Sequence, residues 1–255
     1  QAAHVYVRSQ FLSPRANQRS YVYGVELRNR ARVLLDVVAS VRSAVGPEFP
    51  LAVKLNSADF QKGGFAFEDS LQVVQWLEQA GVDLVEISGG TYEQPKLLGL
   101  QGVEEEEPQN VAASTKLREA YFVDFARAMQ DKVSIPLMVT GGFRRREAME
   151  QAIESGSADL IGIGRPLCVD TDGPSQLLAG LGELRRYEDD LALLPNCMSF
   201  LGRIPLVRAM AGFSTIYWFY CQIYSLAETG RPQLDLSPFK ATLEVMRREN
   251  KLTRP

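Results

Sequence analysis

Between residue 25 and about residue 180 the chain alternates two hydrophobic periods. Leu27, Ala31, Leu34, Val38, Val41 and Val45 recur at three- and four-residue steps, which predicts a helix that Gly46-Pro47 stops. A short apolar run follows from Leu51 to Leu55, and then Leu71, Val74, Leu77 and Ala80 line one face of a second helix, with Gly81 placed to end it. Val85 and Ile87 mark the next strand, and Leu117, Ala120, Tyr121 and Phe125 a third helix. "PLMVT" (Pro136 to Thr140) reads as a strand, Ala148, Met149, Ala152 and Ile153 as a fourth helix, and "ADLIGIG" (Ala158 to Gly164) as a last strand.

Two joints in this series resemble each other. "QAGVDLVEISGG" (Gln79 to Gly90) and "ESGSADLIGIGR" (Glu154 to Arg165) share a glycine at the helix end, Asp-Leu, a buried strand and a turn of small residues. Near-continuous apolar strands between amphipathic helices predict an α/β fold with a parallel sheet covered by helices, either doubly wound or a (β/α) barrel. "VEEEEPQN" (Val103 to Asn110) is a charge run in a long loop, expected to be a solvated insertion. From about Asn196 the alternation is lost and Pro, Arg and aromatic residues take over. We therefore expect a barrel-type domain over residues 1–180 and a C-terminal extension over 181–255.

With 255 residues, 45% of them hydrophobic, the chain can bury one substantial core. Its net charge of −3 argues against a nucleic-acid partner. Cys168, Cys197 and Cys221 have no C-x-x-C spacing, and with a single histidine neither a disulfide framework nor a histidine metal site is expected. Their number fits a reducing compartment, the cytoplasm. Ala209 to Leu226 carries no charge, but its Gly, Ser, Thr and Gln residues and four Tyr or Trp favour an aromatic helix packed on the domain over a membrane span.

Ligands of parallel α/β folds meet the carboxyl ends of the strands. "PLMVT" runs into Gly141-Gly142-Phe143-Arg144 and then a helix, while "LIGIG" ends in Gly164-Arg165-Pro166. Glycine turns let backbone amides approach an anion, and a guanidinium grips phosphate oxygens, so the pair suggests a phosphate site. Tight turns that need glycine would look the same. At the other end, Gln1, His4 and Tyr6 offer an amide, an imidazole and a phenol. Each can donate a hydrogen bond to a carbonyl oxygen, and the phenol can also supply a proton to carbon.

"HVYVRSQFLSPRANQRSYVYGVELRNRAR" resembles the old yellow enzyme family of flavin-dependent ene-reductases, which carry H-x-A-[HN]-G-Y-L-x-x-Q-F-L-S-P and then N-x-R-x-D-x-Y-G-G-S-x-E-N-R. "VKLNSADFQKGGF", "GVDLVEISGGTYE", "PLMVTGGFR" and "DLIGIGRPL" are similar to the same family in order and spacing, nearest its fungal branch. The resemblance implies a (β/α)8 TIM barrel that binds FMN, takes hydride from NAD(P)H and reduces an activated alkene of the enone type. Position by position it makes His4 and Gln1 binders of the substrate carbonyl, Tyr6 the proton donor, Arg30 the arginine beside the flavin pyrimidine, and Gly142, Gly164 and Arg165 the phosphate-binding turns.

There are departures from the family pattern. Gln1 replaces histidine, Val5 replaces the glycine between His4 and Tyr6, and Tyr21, Val25, Glu26 and Arg28 replace Asp, Gly, Ser and Glu. The resemblance also places the first residues at the end of the fourth barrel strand, so about five strand positions are expected, four of them full. Val53, Leu55, Val85, Ile87, Met138 and Ile161 are then expected as an uncovered inner layer, promoting a homo-oligomer or a complementing N-terminal half, unless Tyr217, Trp218 and Tyr220 fold back over it. Two alternatives stay open. One is a flavin-free relative acting as an isomerase or cyclase in a biosynthetic pathway; the other is a non-catalytic half-barrel subunit.

Overall fold

The structure, a computed structural model, describes residues 1–3, 6–59, 62–88, 123–193 and 205–252. Its sheet has four parallel strands in sequential order: β1 (Ala52–Asn56), β2 (Leu84–Ser88), β3 (Leu137–Thr140) and β4 (Leu160–Gly162). A doubly wound sheet reverses its strand order at a switch point, whereas a barrel adds each strand beyond the last. The observed order is of the barrel kind. Before β1, Ala2 forms a single parallel bridge to Leu55 and donates its N–H to the Lys54 carbonyl at 2.7 Å. Among the described residues this gives four full strands and one partial position, as the resemblance implies.

Helices α1 (Val7–Leu12), α2 (Leu27–Val45), α3 (Phe67–Gln79), α4 (Val123–Gln130) and α5 (Arg146–Glu154) surround these strands in the chain. Gly46 ends α2 at φ 83° and ψ 174°, a positive-φ conformation that glycine adopts readily, so the stop read at Gly46-Pro47 is observed. The expected third helix is observed from Val123 onward, and its first residues, 117–122, lie outside the described residues, as does the charge run Val103 to Asn110.

The register shows which strand residues share a face. Val53 pairs with Val85, Val85 with Leu137, and Val139 with Ile161. Val53, Leu55, Val85, Ile87, Leu137 and Val139 are all buried, together with Leu34, Val38, Val73, Val74, Leu77, Ala126 and Met129 of the helices. Parallel crossovers of one hand put every connecting helix on the same side of a sequentially ordered sheet. The expected uncovered layer is therefore corrected. Val53, Leu55, Val85 and Ile87 face the helices, and the opposite face is the alternate row Lys54, Glu86, Met138 and Leu160, which is half-buried to exposed. Of the residues named for the inner layer, only Met138 lies on it.

The "N-x-R…Y-G" loop before α2 is held from within. Asn17 is buried and donates to the carbonyls of Phe11 at 2.8 Å and Tyr23 at 2.6 Å, while its Oδ1 accepts from Arg19 Nη1 at 3.1 Å. A Cβ on Gly24 would fall 1.9 Å from the Arg19 carbonyl oxygen, so glycine is required there. The next residue, Val25, sits at φ 67°. This is the left-handed region, an outlier for a β-branched side chain, and the family motif has glycine here. Because Val25 is 67% exposed, burial does little to offset the strain. Val25→Gly is expected to stabilise the chain by about 1 kcal/mol, read as a higher midpoint of denaturant unfolding. A lower midpoint would mean that the strain is not carried by this residue.

By contacts the chain forms two compact units: Gln1–Phe143 with Glu147–Gly162, and Arg144–Arg146 with Ile163–Pro255. The second unit takes in the turn after β4, earlier than the boundary read near residue 180. It contains α6 (Gly173–Leu178), α7 (Pro205–Thr229) and α8 (Pro238–Leu252). The charge-free stretch is the body of α7, and no helix among the described residues is long and apolar enough to cross a membrane. Trp218, Phe219 and Cys221 of α7 pack with Ala241 and Val245 of α8 and with Val169. Trp218 also stacks on Tyr187, with ring centroids 6.0 Å apart. That packing, inside its own unit, is what Trp218 satisfies.

Candidate functional site

Charges and polar groups collect where apolar residues would have been cheapest. In the middle of β1 and β2, Lys54 and Glu86 stand in register and form an ion pair, with side chains 22% and 18% exposed. At the carboxyl ends of the same strands, Asn56, Ser57, Asp59 and Ser88 are all buried. Asp59 accepts from the Phe65 N–H at 2.9 Å, and the Ser70 hydroxyl donates to the Asn56 carbonyl at 2.7 Å. The Ser57 hydroxyl has no partner among the described residues. Lys54 and Glu86 did not enter the sequence reading, although one charge of opposite sign in each of two apolar runs was the available signal.

The substrate-side candidates lie at the start of the first unit. Gln1 is exposed. Tyr6 is 49% exposed and stands at the N-cap of α1, where its carbonyl accepts from the Ser9 hydroxyl at 2.8 Å. His4 lies outside the described residues. Arg30 is buried on α2, giving Nη2 to Asp69 at 3.0 Å and Nη1 to the Leu12 carbonyl. It ties the end of α1 to the start of α3, and only its Nε is unpartnered among the described residues.

The three turn candidates divide between the units. Gly142 lies in the first, with Gly141 beside it, at φ 85° and 124°, so the backbone alone requires glycine at both. Gly164 and Arg165 lie in the second. Gly164 has φ −114°, and a Cβ there would meet nothing within 4 Å among the described residues. No contact among the described residues calls for glycine there.

Arg165 opens a short 3-10 helix (Arg165–Cys168), and its guanidinium, 35% exposed, donates from Nη1 to Glu188 Oε1 at 3.2 Å. The same carboxylate oxygen accepts from Arg144 Nη2 at 2.9 Å, with the Arg144 side chain only 7% exposed. Burial pulls Arg144 below the usual guanidinium range, and the positive charges of Arg186 and Arg165 pull the same way, while Glu188 opposes them. Leu184, four residues before Glu188, also meets this turn. Its N–H donates to the Arg144 carbonyl at 2.8 Å, and its side chain lies over Gly173, where a Cβ would come within 2.9 Å of Leu184 Cδ2. Beside this cluster, burial raises the Cys168 thiol above its ordinary range, with Arg165 opposing. The result is a basic cluster built from turns that follow β3 and β4 in the chain.

The chain is 40% identical over 174 residues to the NADH-dependent flavin oxidoreductase iliE of Hypocrea jecorina (strain QM6a), covering 66% of this chain and 41% of that protein. It is 31% identical over 232 residues to the NADH-dependent flavin oxidoreductase iccE of Talaromyces variabilis, covering 90% of this chain and 55% of that one. The chain thus spans about half the length of these relatives. Among solved structures, a 2-naphthoyl-CoA reductase in complex with 2-naphthoyl-CoA aligns at a TM-score of 0.61 and 25% identity, over 72% of this chain and 26% of that one. The old yellow enzyme homologue from Zymomonas mobilis shares the fold, with a TM-score of 0.52 and 22% identity over 71% of this chain and 46% of its own. Residues 1–183, well over half of the sequence, match one family throughout, and the chain belongs to the NADH:flavin oxidoreductase / NADH oxidase family.

Proposed function

We propose that the chain holds the flavin phosphate in an FMN-dependent NAD(P)H oxidoreductase that reduces activated alkenes. The observation that carries this is the Arg144–Glu188–Arg165 cluster, with the partly exposed Arg165 guanidinium next to a glycine that no contact among the described residues requires. A guanidinium beside an open backbone is a donor set that fits a phosphate, and the family match supplies the flavin. When bound, FMN supplies two-electron chemistry, taking hydride from the nicotinamide and delivering it to an alkene.

The chain's own residues have separate tasks. Arg165, with the backbone of Gly164, would hold the phosphate, and Arg30, which ties the end of α1 to the start of α3, is the arginine that the family pattern assigns to the flavin. Gln1 and His4 donate hydrogen bonds to the substrate carbonyl and so favour charge on its oxygen. The Tyr6 phenol holds the proton that the α-carbon receives. As Tyr6 is 49% exposed, water can partly replace it. Tyr6→Phe is therefore expected to slow alkene reduction by about tenfold, at the low end for a general acid. Flavin reduction by NAD(P)H should stay nearly unchanged. Stopped-flow measurement of the two half-reactions separates these effects, and equal loss in both would make Tyr6 structural.

A further inference from the structure

We propose that Glu188 is an internal stand-in for the bound phosphate, holding Arg165 at rest and competing with the ligand for it. This rests on the phosphate site proposed above and adds a residue that neither the motifs nor the comparisons assign. Glu188 Oε1 is shared by two guanidinia that are not equivalent. Arg144 is 7% exposed with the shorter contact of 2.9 Å, so its charge is buried and needs a fixed counter-ion. Arg165 is 35% exposed with the longer contact of 3.2 Å, and follows a glycine whose added Cβ would meet nothing within 4 Å among the described residues. The Arg144 half of the bridge is the anchor, and the Arg165 half is the one an incoming anion displaces. A carboxylate and a phosphate present the same kind of oxygen to a guanidinium, so each excludes the other from Arg165 Nη1. The segment that carries Glu188 is also tied to Arg144 through the backbone, where the Leu184 N–H donates to the Arg144 carbonyl at 2.8 Å.

The test is fluorescence titration of the full chain with FMN and with riboflavin, which lacks the phosphate. Glu188→Gln keeps an oxygen for Arg144 but removes the competing charge, and should tighten FMN binding by about fivefold, in line with a partly exposed ion pair. Riboflavin binding should not change. Glu188→Asp keeps the charge beside Arg144 while shortening its reach, and should give up Arg165 first and tighten FMN in the same direction. It serves if Glu188→Gln does not fold. In an Arg165→Ala background neither substitution should matter. Unchanged or weaker FMN binding in the variants, or equal shifts for FMN and riboflavin, would overturn the stand-in role. If the unmodified chain binds neither flavin, the flavin reading itself fails, and this inference with it.

Discussion

Trp218→Ala is expected to cost about 3–5 kcal/mol, the range for removing a large buried aromatic side chain. Trp218 is 1% exposed, stacks on Tyr187, meets Phe219 edge-on with centroids 5.2 Å apart, and donates its indole N–H to the Leu236 carbonyl at 2.7 Å. The substitution opens a cavity between α7 and α8 and leaves that carbonyl without its donor. Gln222 of the same helix already spends both ends of its amide on the Gln233 backbone, so it cannot replace the lost donor without breaking those bonds. Trp218→Phe restores most of the lost packing but not the hydrogen bond, so it should fall between alanine and the unmodified chain. Denaturant unfolding followed by circular dichroism measures both. A cost below about 1 kcal/mol for alanine would mean that the pairing of α7 with α8 does not depend on this side chain.

The contrast between such core positions and the site explains what could be read from sequence. Helices from Leu27 and from Arg146, and strands around Val53, Val85, Val139 and Ile161, follow from hydrophobic period, which is local information. The face each strand turns to the helices is not local. Val53 and Leu55 were assigned to the open face because the period marks a buried row without saying which layer buries it. Register and crossover handedness decide that. Val25 was noticed as a departure from the motif, but that its backbone keeps the glycine conformation needed φ 67°.

In the proposed site, Gly164 and Arg165 are neighbours in one turn, so their pairing can be proposed from sequence. Glu188 cannot be added to them in that way, since it meets Arg165 from 23 residues away and Arg144 from 44 residues away. "YEDD" reads in sequence as an ordinary solvated acidic run.

Arg165→Ala is expected to weaken FMN binding by about thirtyfold, the equivalent of about 2 kcal/mol for a lost charge-assisted contact. The fold should survive, because the Arg165 side chain is 35% exposed and Arg144 keeps Glu188. Riboflavin binding should be indifferent to the change, since the guanidinium is assigned to the phosphate and not to the ring. Arg165→Lys should recover only part of the loss. An ammonium keeps the charge but not the paired, planar donors. Equal weakening of FMN and riboflavin would make Arg165 a support of the fold.

The unmodified chain, titrated with FMN and with riboflavin under one set of conditions, provides the decisive comparison. A site built around Arg165 and Gly164 predicts tighter binding of FMN, and a preference that falls as added inorganic phosphate competes for the same guanidinium. Equal affinity for the two flavins, or no binding of either, would contradict a flavin-phosphate site in this chain.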